Sequence, residues 1–185
     1  AVSGRVLRGC VFVHRAGNLQ IRMGQEKINA DAHALQSLPM PILWGSRLFL
    51  LAAVVVHAVT AYQLVVENRR ARPQSNYIET TKKAGLASLR MGLTGSILLA
   101  FIIFHLLHFT IRLIYPEYDE MMTTVGSPDS NKIHDVYTMV IKGFQHTWIS
   151  IFYVVAMFLL CGHLAHGVSS TFQSLGIRSE NWRAQ

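Results

Sequence analysis

Cysteine is scarce. The 185 residues hold two, Cys10 and Cys161. Neither lies in a CxxC, so a disulfide framework and a zinc finger are excluded. Charge is also scarce, with Asp, Glu, Lys and Arg making up 15% of the chain, against about 25% in soluble domains. There is no G-x-G-x-x-G, P-loop or H-E-x-x-H, which removes the usual signs of dinucleotide, nucleotide-phosphate and zinc-protease chemistry. Acids are outnumbered, 10 against 17 bases, for a net charge of +7. In a soluble protein that surplus points to nucleic acid. In a membrane protein it belongs to basic cytoplasmic loops, and no nucleic-acid partner is expected. Hydrophobic residues reach 51%, which excludes disorder.

The apolar residues come in long blocks. Three satisfy the rule of about 20 mainly apolar residues for a membrane span. They run from about Ile42 to Val66, from Met91 to Ile114 and from Trp148 to Val168. Arg47 near the start of the first and Arg112 near the end of the second are their only charges. Trp44, Tyr62, Tyr115, Trp148 and Tyr153 lie near the ends, as an aromatic belt requires. The expected fold is an all-α transmembrane bundle in a single domain over 1–185, with helices at about 1–23, 42–66, 91–114 and 148–168. Pro116 is expected to stop the third helix, Ser127-Pro128-Asp129 to turn, and Asp135 to Phe144 to form a short helix. Pro73 sits in a basic loop.

The segment from Ala1 to Met23 fails the hydropathy test. Arg5, Arg8 and Arg15 would each cost roughly 2.5–3.5 kcal/mol at a helix centre. At about 100° per residue, Arg5, Arg8, Arg15 and Arg22 share one face, and His14 lies on another. The arginine face is expected to meet water, an acidic partner or phospholipid headgroups.

Loop charges orient the chain. Arg69, Arg70, Arg72, Lys82, Lys83 and Arg90 make the segment 67–90 basic, whereas 115–145 is acidic. The positive-inside rule places 67–90, the N-terminus and the tail after Gly176 in the cytoplasm.

Nine histidines are the unusual feature. Ionisable residues inside a membrane mark function by default. His14, His57, His105, His108, His163 and His166 lie in candidate helices. His33, His134 and His146 lie in loops or at a boundary and read as surface residues. Depth along the helices gives an outer layer, His14 with His105, and an inner layer, His57 with His163. Two histidines from different helices at one depth suit bis-imidazole ligation of haem iron, and two layers imply two haems. His108 and His166 each follow a candidate at i+3 on the same face, so either member of each couple can bind. Gly17, Ala58, Ala61, Gly95 and Gly162 are small residues that would let a flat macrocycle approach. A zinc or copper transporter would want carboxylates or Cys within the spans, and the spans lack Asp and Glu.

VHRAGNLQ, GQEKIN, LASLRMGLTGSILLAFIIFHLLHFT and the stretch from DVYTMVIKGFQHTW to HLAHGVSSTFQSLG resemble the b558-type cytochrome b membrane-anchor subunit of succinate dehydrogenase and fumarate reductase. The resemblance covers nearly the whole chain. It implies five membrane helices, two haem b groups, and a quinone, menaquinone or ubiquinone, as substrate. It also implies attachment to a flavoprotein subunit and an iron–sulfur subunit at a bacterial inner (cytoplasmic) membrane. The implied axial ligands are His14 with His105 and His57 with His163, which favours His105 over His108 and His163 over His166. Arg90 is expected to pair with haem propionates, in place of arginines that some relatives carry at Leu89 and Gly92. Dicarboxylate chemistry is not expected in this chain, which has no flavin or iron–sulfur motif.

The chain departs from that pattern. Both ends are expected to be truncated, before a leader and a fifth helix. Arg5, Arg8, Arg15, Arg22, Arg47 and Asp31 stand where apolar or aromatic residues are usual. Some fumarate reductases have a carboxylate two residues before the fourth-helix ligand, where this chain has Cys161, so a proton route built on it is not expected. Ser3, Asn18, Gln20, Gln25 and Glu26 are candidates to line a quinone pocket. The alternatives are a cytochrome b subunit of a formate dehydrogenase or hydrogenase, a haem-free structural anchor, and a metal transporter.

Overall fold

The computed structural model describes residues 2–71, 79–124 and 132–174, with the backbone alone over 79–89 and 173–174. Pro73, the Ser127–Pro128–Asp129 turn and the tail after Gly176 lie outside the described residues, as do the side chains of Lys82, Lys83 and Leu89. The order is α1 (Val2–Asn18), a tight turn of helix at Leu19–Met23, α2 (Gln25–Gln36), α3 (Met40–Arg70), α4 (Glu79–His105), a wide turn at Leu106–Thr110, a short helical turn at Pro116–Glu120, β1 (Met122–Thr123), β2 (Ile133–His134), α5 (Val136–Gln145) and α6 (Thr147–Ser174). The chain is mostly helical, with one small antiparallel pair in which Met122 faces His134 and Thr123 faces Ile133.

Among the described residues three helical stretches are long and apolar enough to cross a membrane: Met40–Arg70, Arg90–Thr110 and Thr147–Phe172. α1 is not among them, because its arginines break the apolar run. α3 is apolar on every side, which marks a helix meant for an apolar surrounding. Pro39 and Pro41 open it, Pro41 in the first turn where no N–H is missed. Arg69 and Arg70 close it against the negative end of the helix dipole. No residue of α3 is buried, and Leu48, Phe49, Val55, Val59 and Leu64 are exposed, as are Val154, Val155 and Phe158 of α6. Such contiguous apolar surface fits lipid contact.

α1 packs on α3, α3 on α4 and α4 on α6. Phe101, Ile149, Tyr153 and Ala156 form the core between α4 and α6, with Phe104, Phe109, Tyr115, Phe152 and Met157 packed against it. At the Pro39 end of α3, α2 lies across α5. Gly24, at φ +101°, makes the turn from α1 into α2, a conformation open to glycine.

Two boundaries differ from the sequence expectation. The helix expected to reach Ile114 ends at Thr110, through wide bonds from Ile111 N–H to Leu106 C=O (2.7 Å) and from Leu113 N–H to Leu107 C=O (2.9 Å). Arg112 then adopts φ +58° and pairs with Asp119. Pro116 therefore starts the next turn of helix and does not stop this one. The helix expected over 1–23 gives way at Asn18, and α2 follows it where no helix was expected.

Candidate functional site

Four imidazoles meet in two pairs. The rings of His14 (α1) and His105 (α4) lie 5.7 Å apart, inclined at 84°. Those of His57 (α3) and His163 (α6) lie 6.3 Å apart, inclined at 77°. Helices that pack side by side are α1 with α3, α3 with α4 and α4 with α6. Each pair therefore crosses the bundle between helices that are not neighbours.

The pairs occupy two levels. A Cβ added at Gly4 of α1 would sit 3.5 Å from Cε1 of His57, and one at Gly95 of α4 would sit 3.5 Å from Cε1 of His163. Thr94 Oγ1 lies 3.3 Å from His163 Nδ1, and Tyr153 Oη lies 3.2 Å from His105 Nδ1. Gly4 to His14, Thr94 to His105 and Tyr153 to His163 each span about 15 Å or slightly more, at 1.5 Å of rise per residue. Three helices thus give one interval.

The structure separates the members of each i, i+3 couple. His105 faces His14, whereas His108 is fully buried in the wide turn, against Phe104, Phe109, Tyr115, Tyr118 and Tyr153. Its Nδ1 lies 3.2 Å from Tyr153 Oη, and its Nε2 is buried with no hydrogen-bond partner among the described residues. Gly143 makes room for it: a Cβ there would come within 2.9 Å of Phe109 and 3.2 Å of His108. His163 faces His57, whereas His166 is exposed.

The histidine pairs fit a haem on simple metrical grounds. Two imidazole nitrogens on opposite sides of one metal, each at about 2 Å, put the ring centroids about 6 Å apart. Among the described residues no three His, Cys, Asp or Glu side chains gather as a metal site. Two donors per level would suit a metal that arrives with further donors of its own. The levels differ in readiness. Asn18 Nδ2 donates to His14 Nε2 at 3.1 Å, so that nitrogen must be released before it can ligate.

Other expected residues scatter. Arg90 is exposed, one turn before Thr94. Among the described residues a Cβ at Gly17 or Gly162 would meet nothing within 4 Å. Ser3 lies at the start of α1 and Asn18 at its end, with Gln25 and Glu26 at the start of α2, so Ser3 is not brought together with the other residues expected around a quinone. Asn18 holds His14, and Gln25 donates to Asp135 at 2.8 Å. The arginine face is divided as well. Arg5, Arg15 and Arg22 are exposed, while Arg8 turns inward and donates to Thr171 Oγ1 of α6 at 3.0 Å.

Asp135 is a polar knot where α2 meets α5. It caps α5 by accepting from Thr138 N–H (3.1 Å) and Thr138 Oγ1 (2.7 Å), and it accepts from Asn29 Nδ2 at 2.9 Å. Asn29 Oδ1 in turn accepts the Tyr137 N–H at 2.9 Å. Burial pushes the Asp135 carboxyl up, but the bonds from Thr138, Asn29 and Gln25 outweigh it and hold it below the usual carboxylate range. His134, expected at the surface, is half-buried, and burial together with the Arg112 charge lowers its pKa. His33 and His146 are exposed, with His146 stacked on Tyr115 at 4.9 Å.

The class defined here is a mostly helical protein that has, among the described residues, three helices able to cross a membrane and two facing histidine pairs between its helices. No family model, no curated protein and no solved structure matches the chain.

Proposed function

We propose that the chain is a haem b-carrying membrane anchor of the succinate dehydrogenase and fumarate reductase type, passing electrons between an iron–sulfur subunit and a membrane quinone. The observation that carries this reading is the pair of histidine couples, each joining non-neighbouring helices at a spacing suited to one metal between them. His57 and His163 would hold the inner haem, and His14 and His105 the outer one. Haem iron supplies one-electron ferric–ferrous chemistry when bound.

The chain's own part is to bind, orient and insulate. Neutral imidazole donates the ligating lone pair. The apolar spans keep water from the interior and place the two levels along the membrane normal. The basic segment 67–90 faces the cytoplasm of a bacterial cell, on the side of the iron–sulfur and flavoprotein subunits. Arg90 stands at that end, where it would meet a carboxylate of the inner haem. Menaquinone and ubiquinone are the candidate substrates. A second reading, with haem at the inner level alone, is favoured by the bond from Asn18 to His14 Nε2.

The test is protohaem per polypeptide, read by the pyridine haemochrome spectrum on the chain co-expressed with its partner subunits. Two haems are expected, falling to one in His57→Ala and one in His14→Ala. One haem in the unaltered chain would establish the second reading. A colourless preparation would overturn both and leave a haem-free anchor.

A further inference from the structure

The hydroxyl of Thr94 is placed where a single proton decides which nitrogen of His163 is free. Thr94 Oγ1 donates to the Arg90 carbonyl at 2.8 Å, with the Met91 carbonyl further off at 3.2 Å. Threonine hydroxyls in helices bond back to the preceding turn in this way. A hydroxyl has one proton and two lone pairs. With its proton directed at the backbone, the oxygen offers His163 Nδ1 only a lone pair. The 3.3 Å contact then requires Nδ1 to carry the hydrogen, which leaves Nε2 bare.

We propose that Thr94 is a positioning residue: its half-buried hydroxyl fixes His163 as the Nδ1–H tautomer and aims Nε2 across the bundle at the level of His57. This rests on the reading of His163 as a haem ligand. The neighbouring residue leaves the ring its place, because Gly95 carries no side chain on the α4 face toward His163, where a Cβ would lie 3.5 Å from His163 Cε1. The hold on the ring from α4 is thus the hydrogen bond at Nδ1. The other level lacks this device. Tyr153 Oη lies 3.2 Å from Nδ1 of both His105 and His108. Its one proton can satisfy either imidazole, so it does not dictate the His105 tautomer.

Acceptors on the far nitrogen of a ligating histidine raise its basicity, and their loss typically costs tenfold or more in metal affinity. A less basic ligand stabilises ferric iron less. In Thr94→Val, which keeps the shape and removes the hydroxyl, both haems should remain. The ferric–ferrous equilibrium at the inner level should move about tenfold toward ferrous. At 59 mV per decade for one electron, that is about 59 mV upward. Thr94→Ser should restore the original potential.

The experiment is an optical redox titration and haem count on the co-expressed complex for the wild type, Thr94→Val, Thr94→Ser and His163→Ala. Loss of one haem in His163→Ala tests the ligand reading by itself, and retention of both would overturn that reading and this inference together. If His163→Ala loses one haem but Thr94→Val titrates like wild type, the inference alone fails. It fails also if Val and Ser variants are displaced equally, or if both lose the haem, since the hydroxyl would then not be the cause.

Discussion

Replacing Asn29 with leucine removes two hydrogen bonds while keeping a side chain of similar size. Asn29 is fully buried. Its Nδ2 donates to the Asp135 carboxylate at 2.9 Å, and its Oδ1 accepts the Tyr137 N–H at 2.9 Å. A hydrogen bond to a charged group contributes about 1.5–3 kcal/mol, and a stranded buried N–H costs about 1–3 kcal/mol. Together they put the loss at about 3–5 kcal/mol, localised where α2 lies on α5. At about 1.4 kcal/mol per decade, amide exchange at the start of α5 should accelerate more than a hundredfold. Amides of α6 within the apolar span should change little. Hydrogen–deuterium exchange on the detergent-solubilised chain reads both regions at once. Acceleration at Tyr137–Met139 below about fivefold would refute the assignment of Asn29 and Asp135 as the tie between these helices. Because α2 continues from α1, the same variant should weaken haem retention at the proposed outer site and spare the proposed inner one.

Acid should act on the same knot. The folded-state pKa of Asp135 is depressed, so its stabilisation is full above the unfolded value of about 3.9 and is lost as pH falls through the lower folded value. Exchange at α5 followed down that range should show a step that Asp135→Asn abolishes; a step that survives assigns it elsewhere. Gly143→Leu should drive Phe109 and His108 from their places, since even a Cβ there meets Phe109 at 2.9 Å. It should cost about 1–3 kcal/mol as an overpacked core, read as a lower melting temperature, and unchanged melting would contradict the packing. Arg15→Leu should leave thermal stability and haem content unaltered, whereas Arg8→Leu should destabilise by about 0.5–1.5 kcal/mol through the bond lost to Thr171. Equal effects of the two would mean that Arg8 is on the same open face as Arg15.

The three spans were legible because a run of apolar residues long enough for a bilayer is a local signal. The histidine levels were legible because depth follows from residue count along a helix. His105 and His108 could not be separated by spacing, since residues at i and i+3 share a helix face. The wide turn at Leu106–Thr110 separates them, and it carries no residue-level signature. The same turn explains why Pro116 misled: the helix had already ended. α2 was missed because its composition is polar and its partner Asp135 lies far along the chain. Ser3 stands apart from the other quinone candidates because α1 sets Ser3 and Asn18 at its opposite ends, about 22 Å apart at 1.5 Å per residue.

The two couples interleave in chain order: His14, then His57, then His105, then His163. Neither link closes inside the other, and neither is confined to a hairpin of adjacent helices. During synthesis, which proceeds from the N-terminus at about 5–20 residues per second, the His14–His105 couple is complete once α4 has emerged. The His57–His163 couple must wait for α6, the last described helix to leave the ribosome. Haem loading of the proposed kind would therefore have a built-in sequence, outer level first. A ribosome stalled between α4 and α6 would display a chain competent for one haem and not for the other.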